Sequence, residues 1–282
     1  LQARLTDDIA DNKNKNKKAL SQDEINENLH FKQKCILNFD QGFDWDTPIY
    51  RVYPIDRLTQ VFNDKKNTLV KPLMWDDLFE NLVFQQTATL TNEQTVSFDS
   101  IREKFYGQCW TLNTDETDAL WRIYSPNKDG VRVKTTLGKL FDNFYDPTYK
   151  WAMIAFYIGK INYKTSAQIQ TFFEDPENLE MIFDTSGEGS VQTLLVKRIE
   201  FLHENEVRLI YSANSETDDT TSGIYQYNFD PNSILDELLF DPRFDDALFA
   251  AKKAEFIAHG FTKTIDKSKL YHVPNFNLRL NH

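Results

Sequence analysis

The spacing of apolar residues divides the chain into two kinds of segment. Alternating apolar and polar positions, the mark of a half-buried strand, predict strands over 48–53 (PIYRVY) and 131–135 (VRVKT). A short, aromatic, nearly uncharged run predicts a buried strand over 106–112 (YGQCWTL). Residues 68–72 and 223–229 also read as strands, the first stopped by Pro72, and 151–163 as a strand pair or one long bent strand. Helical spacing puts Ile55, Leu58, Val61 and Phe62 on one face over 55–63, and Leu120, Trp121 and Tyr124 on one face over 115–124. Further helices are expected over 96–105, 137–144, 166–174, 192–201, 233–240 and 245–259, the last closed by Gly260. Residues 1–30 are too polar to offset the entropy of ordering, although Ser21 and Glu24 have capping-box spacing and start a helix reaching about Cys35. No repeat or Pro/Gly/Ser-rich linker interrupts the rest. The expectation is a polar segment over 1–35, partly disordered or helical, and a single α+β domain over 36–282. Its sheet is expected to be mixed or mainly antiparallel and split, with flanking helices.

One charged stretch stands out against this pattern, residues 200–212 (EFLHENEVRLIYS). Read as a strand, it places Glu204, Glu206 and Arg208 on one face and Val207 and Leu209 on the other. Carboxylates one pleat apart are separated by about 6.6 Å and repel by roughly 2.5 kcal/mol at an effective dielectric near 20. Open water tolerates that pair, whereas a cleft does so only if Arg208 or a ligand offsets it.

Composition narrows the classes. The chain has 282 residues, 40% of them hydrophobic and 14% aromatic, so large rings are expected to dominate a sizeable core. A net charge of −11 argues against general nucleic-acid binding, which needs clustered Lys and Arg. Cys35 and Cys109 are too few for a disulfide framework or a cysteine-based zinc site. No apolar run approaches a membrane span and no apolar signal region opens the chain, so a soluble cytoplasmic protein is expected.

Several segments in order resemble a bacterial family known as domain-of-unknown-function family 2971. They are Tyr50-Arg51, Asp76-Asp77-Leu78-Phe79-Glu80, Cys109-Trp110-Thr111, Trp121-x-x-Tyr124 with Gly130-Val-x-Val133, Glu204-x-Glu206-x-Arg208-Leu209, Asp241-Pro-Arg243, and Lys267-Ser-x-Leu-Tyr271. Leu78 stands where the family usually has Pro, and Thr111 where Ser is common. The resemblance implies a cytoplasmic bacterial protein, sometimes encoded near anti-phage genes, and implies no activity.

The chain order also resembles NAD-using ADP-ribosyltransferases of the arginine–serine–glutamate type: an early-strand Arg51, a mid-chain Thr111 and the late pair Glu204 and Glu206. Their fold is a split sheet with helices. By that resemblance NAD is the substrate, Arg51 grips its pyrophosphate, and Glu206 binds ribose and stabilises positive charge as nicotinamide leaves. Glu204 orients or deprotonates an acceptor. Tyr50, Trp110, Thr111, Trp121, Tyr124 and Arg208 are the remaining candidates for holding NAD. The acceptor is an unspecified macromolecule or defence-system partner, and no metal is expected. The bland alternatives stay open: Glu204-x-Glu206-x-Arg208 as a salt ladder, Arg51 as a partner of either glutamate, and the aromatics as core. Two other classes also remain. One is a non-catalytic nucleotide- or partner-binding sensor. The other is a metal-dependent nuclease using Asp76, Asp77, Glu204 and Glu206, which lacks the usual strand lysine.

Overall fold

The computed structural model describes residues 20–40, 42–75, 87–89, 95–97, 99–182, 187–213, 223–274 and 279. Their strands in chain order are β1 (Ile36–Leu37), β2 (Pro48–Pro54), β3 (Lys66–Val70), β4 (Thr87–Thr89), β5 (Thr95–Ser97), β6 (Phe105–Thr111), β7 (Gly130–Thr136), β8 (Phe156–Lys160), β9 (Asn162–Lys164), β10 (Val196–Arg198), β11 (Glu206–Ser212), β12 (Ile224–Asn228), β13 (Glu237–Phe240) and β14 (Thr264–Lys267). The chain clusters into two compact units, each drawn from three stretches. The first takes Leu1–Gly42, Thr68–Cys109 and Phe144–Tyr225, and the second Phe43–Asn67, Trp110–Asn143 and Gln226–His282. The fold class is α+β, with mixed strand pairing and flanking helices, as the sequence predicts.

In the first unit β8 is central. It pairs parallel with β1 and antiparallel with β11, whose register runs from Val207↔Lys160 to Tyr211↔Phe156. β11 is buried from Glu206 to Tyr211, so it is a core strand despite carrying two charged residues. The next neighbour of β11 is β6, and Val70 of β3 pairs antiparallel with Gly107 of β6. A Cβ on Gly107 would fall 2.4 Å from Cζ2 of Trp75, so glycine here lets the indole pack against the strand. Phe156 anchors the ring cluster, with Phe144, Tyr145, Tyr149 and Tyr211 at centroid distances of 5.2, 5.9, 5.8 and 5.2 Å. The helix Gln22–Phe31 is started by the capping box of Ser21 and Glu24 and joins this unit through Asn28, whose side chain donates to the Pro147 carbonyl and whose backbone carbonyl accepts from the Tyr145 hydroxyl. A separate two-stranded parallel ribbon pairs β9 with β10, Val196↔Asn162 to Arg198↔Lys164.

The second unit is built on β2 and β7, antiparallel from Pro48↔Thr136 to Pro54↔Gly130. β7 pairs antiparallel with β13, which pairs parallel with β14, while Tyr50 pairs with Thr111 at the end of β6. The helix Ile55–Asp64 begins after Pro54, buries Ile55, Leu58, Val61 and Phe62 as its spacing requires, and stops at Lys65 in the left-handed region. Phe62 meets Phe256 and Phe261 at 4.6 and 5.8 Å between centroids.

Four expectations change. Residues 192–201 are not a helix: a short helix Glu188–Thr193 is followed by β10 and a 3₁₀ segment, Ile199–Glu204. Residues 233–240 divide into a helical turn, Pro231–Ile234, and β13, because pairing with β7 overrides a weak helical pattern. The 151–163 segment starts with a helical turn, Ala152–Ala155, and its strands β8 and β9 join different sheets. Over 96–105 the helix is confined to Asp99–Arg102. The Asp76-Asp77-Leu78-Phe79-Glu80 segment of the family resemblance, and with it Asp76 and Asp77 of the nuclease alternative, lies outside the described residues.

Candidate functional site

The strand expected over Glu204–Arg208 begins two residues later. The 3₁₀ segment Ile199–Glu204 ends at Asn205, which adopts the left-handed conformation (φ 43°, ψ 56°). Asn is among the few non-glycine residues that tolerate it. Glu204 therefore does not sit one pleat from Glu206 on a shared strand face. Glu206 and Arg208 do share a face, and they close on each other: Arg208 Nε donates to Glu206 Oε1 at 2.7 Å and Nη2 donates to Oε2 at 3.1 Å. The third corner of the guanidinium, Nη1, donates to the Leu194 carbonyl at 2.6 Å. Its plane lies over Trp75, 4.3 Å from the ring centroid.

Lys197 completes the cluster. On β10 its side chain points to the same side of the ribbon as Tyr163, its register partner on β9. Lys197 Nζ donates to Glu204 Oε2 at 2.5 Å and to Glu206 Oε2 at 3.2 Å, so one ammonium joins the two carboxylates. Tyr163 Oη accepts from the Glu206 backbone N–H at 3.0 Å. Glu206 is 3% exposed and Arg208 fully buried. Two carboxylates and two cations give a neutral group, the condition under which buried charge is tolerated. Burial alone pushes the Glu206 carboxyl up. The Arg208 guanidinium, then Lys197 and the Cys109 thiol, outweigh it and hold the carboxyl well below the usual carboxylate range. Burial pushes the Tyr163 phenol up to about 12, so it stays protonated. The result is a fixed, ionised glutamate with no proton to give.

Lys197 was not a sequence candidate, because a helix over 192–201 hides the strand alternation that aims it at the glutamates. The signal available was Leu195-Val-Lys-Arg-Ile199, a basic pair inside an apolar run.

Arg51, Tyr50, Trp110, Thr111, Trp121 and Tyr124 belong to the second unit. Arg51 is half-buried on β2 with its guanidinium 5.1 Å from the Tyr53 ring centroid. The buried Tyr50 ring carries the Arg132 guanidinium at 3.8 Å, and Arg132 Nη2 donates to the Asn113 and Thr114 carbonyls at 2.9 and 2.6 Å. Thr111 Oγ1 accepts from the Asn113 N–H at 3.0 Å. Trp110 and Trp121 are core rings, and Trp121 Nε1 donates to Glu116 at 3.0 Å. Tyr124 is 45% exposed. The structure thus gathers Glu204, Glu206 and Arg208 in one cluster of the first unit. In the second it places Arg51, Tyr50, Trp110 and Thr111 on two paired strands.

Among the described residues, no group of three His, Cys, Asp or Glu is arranged to hold a metal ion, and no helix is long and apolar enough to cross a membrane. No family model matches the chain, and no curated protein matches it. Solved structures of DarT from Thermus sp. 2.9 are similar to it. The complex with carba-NAD+ is 8% identical with a TM-score of 0.36, and the complex with NAD+ is 10% identical with a TM-score of 0.35; each likeness spans 82% of this chain and 100% of that one. The complex with ADP-ribosylated ssDNA is 11% identical with a TM-score of 0.37, over 83% of this chain and 100% of that one. These likenesses are weak in sequence and in superposition, and no activity is carried across on them.

Proposed function

We propose that the chain is an ADP-ribosyltransferase-like protein that binds or uses NAD and modifies a macromolecular acceptor, and that it serves a bacterial defence system. The observation that carries the reading is Glu206, an ionised carboxylate immobilised at the first residue of a core strand by Arg208, Lys197 and Cys109. Transfer from NAD needs such a group: a carboxylate that accepts from a ribose hydroxyl and faces the positive charge developing on the sugar as nicotinamide departs. The order Arg51, Thr111, Glu206, shared with the arginine–serine–glutamate enzymes, supports the same reading.

A second reading has its own observation. Both oxygens of Glu206 already accept hydrogen bonds and the residue is 3% exposed, which suits a structural ion cluster in a non-catalytic sensor. One experiment separates the two. Labelled NAD is incubated with the purified chain and a panel of proteins and nucleic acids, following free nicotinamide and label transfer. Glu206→Gln, similar in shape but uncharged, is expected to abolish both while the variant stays folded. Arg51→Ala is expected to raise the NAD concentration needed. Equal inertness of wild type and Glu206→Gln across the panel rejects the enzymatic reading and leaves the sensor.

A further inference from the structure

The ribbon β9–β10 has two faces, and the Glu206 cluster uses only one. Tyr163 and Lys197 point to Glu206, so alternation sends Asn162, Lys164 and Val196 to the other side. There they line a half-open groove of about 330 Å³, flanked by Phe172 of the helix Ser166–Glu174, the exposed Met181 of the helix Pro176–Ile182, and Glu188 and Gln192 of the helix Glu188–Thr193. That volume lies at the small end of ligand pockets, about 300–1,000 Å³.

Its lining is chemically specific. The carboxamides of Asn162 and Gln192 each offer donors and an acceptor. Neither side chain makes a hydrogen bond to another described residue. Phe172 supplies a ring face and Met181 a polarizable apolar wall. Lys164, 5.8 Å from the Phe172 centroid, and Glu188 carry opposite charges, so the pocket is neutral. A phosphate would meet Glu188 and an ammonium would meet Lys164. A neutral, planar ligand with a mixed donor–acceptor edge meets neither objection. Carboxamide side chains read such edges in pairs, and aromatic rings bind any flat heterocycle by its face.

We propose that this groove is a binding site, separate from the Glu206 cluster, for a neutral planar nitrogen heterocycle with an amide or amidine edge. Two sources have that chemistry, a nucleobase and free nicotinamide. The test is calorimetric titration of the full chain with adenosine and with nicotinamide, in separate arms, without NAD or turnover. At least one is expected to bind. Asn162→Leu combined with Gln192→Leu is expected to weaken it about tenfold or more, as two lost hydrogen bonds imply. Phe172→Leu, which keeps apolar bulk and removes the ring face, is expected to weaken it severalfold. Glu206→Gln is expected to leave affinity unchanged. Failure of both probes to bind overturns the proposal. So does binding that survives the Asn162/Gln192 and Phe172 variants, or binding lost in Glu206→Gln alone, which would place the ligand at the glutamate. Because the readout is binding, the outcome does not depend on whether the chain transfers ADP-ribose.

Discussion

At the scale of residues, the Glu206 cluster is balanced rather than strong, and its mutational signature follows from that. Replacing Arg208 by Met leaves Glu206 buried with only Lys197 to offset it, and breaking one side of a buried pair costs about 3–5 kcal/mol. Lys197→Met is expected to cost less than Arg208→Met, because Arg208 gives the buried Glu206 two contacts and Lys197 gives it one at 3.2 Å, its closer contact being to Glu204, whose side chain is more exposed and regains water more readily. Combining Arg208→Met with Glu206→Leu removes both charges and should cost less than Arg208→Met alone, since an apolar pair of similar volume is often neutral relative to a buried ion pair. Urea unfolding of the variants checks the order. The cluster also fixes an acid limb. The Glu206 carboxyl is lowered in the folded state, so its contribution to stability is fully present above the ordinary value of 4.5 and is lost as pH falls below that toward the folded value. Stability measured from pH 6 downward should therefore fall less steeply in Glu206→Gln than in wild type.

At the scale of elements, a glycine carries the sharpest prediction. A Cβ on Gly189 would lie 2.0 Å from the Met181 carbonyl oxygen and 2.9 Å from the Ile182 Cα, both backbone atoms that cannot swing aside. Gly189→Ala must push the helices Pro176–Ile182 and Glu188–Thr193 apart, at a cost of about 1–3 kcal/mol, seen as a fall in Tm. At the same scale, elements set by local features are the ones legible in the sequence. The helices Leu137–Phe144 and Ser166–Glu174 lie where the 3.6 period puts them, because their apolar faces and caps are local features. Likewise the capping box at Ser21 and the αL glycine at Gly260 are where a single residue type dictates the backbone. β10 and β13 escaped because three or four residues hold too little periodicity, and their partners β9 and β7 lie far along the chain. The site was legible to the same extent. The pairing of Glu206 with Arg208 follows from strand alternation, whereas Asn205 bending the chain and Lys197 reaching across from another strand do not.

At the scale of the whole molecule, neither unit is a continuous stretch, since each is assembled from three. A cut after residue 143 therefore removes parts of both units and frees neither. Cys35 offers a local reporter of that assembly. It is fully buried in the first unit, with Sγ 3.6 Å from the Met153 carbonyl oxygen, and burial, then Glu188, push its thiol up to about 12. Cys35 belongs to the first stretch of the unit, while Met153 and Glu188 belong to the third. In the intact chain at pH 8, Cys35 should resist alkylation, because it is both inaccessible and almost wholly a thiol rather than the reactive thiolate. In a fragment ending at residue 143, the burying surface and Glu188 are absent. Its thiol should return toward the ordinary value of 9.0 and label readily. Peptide mapping by mass spectrometry follows Cys35 apart from Cys109, so the two thiols need not be separated by mutation. Rapid labelling of Cys35 in the intact chain would show that its first and third stretches do not close together, and with them the strands that carry Glu206 and Lys197.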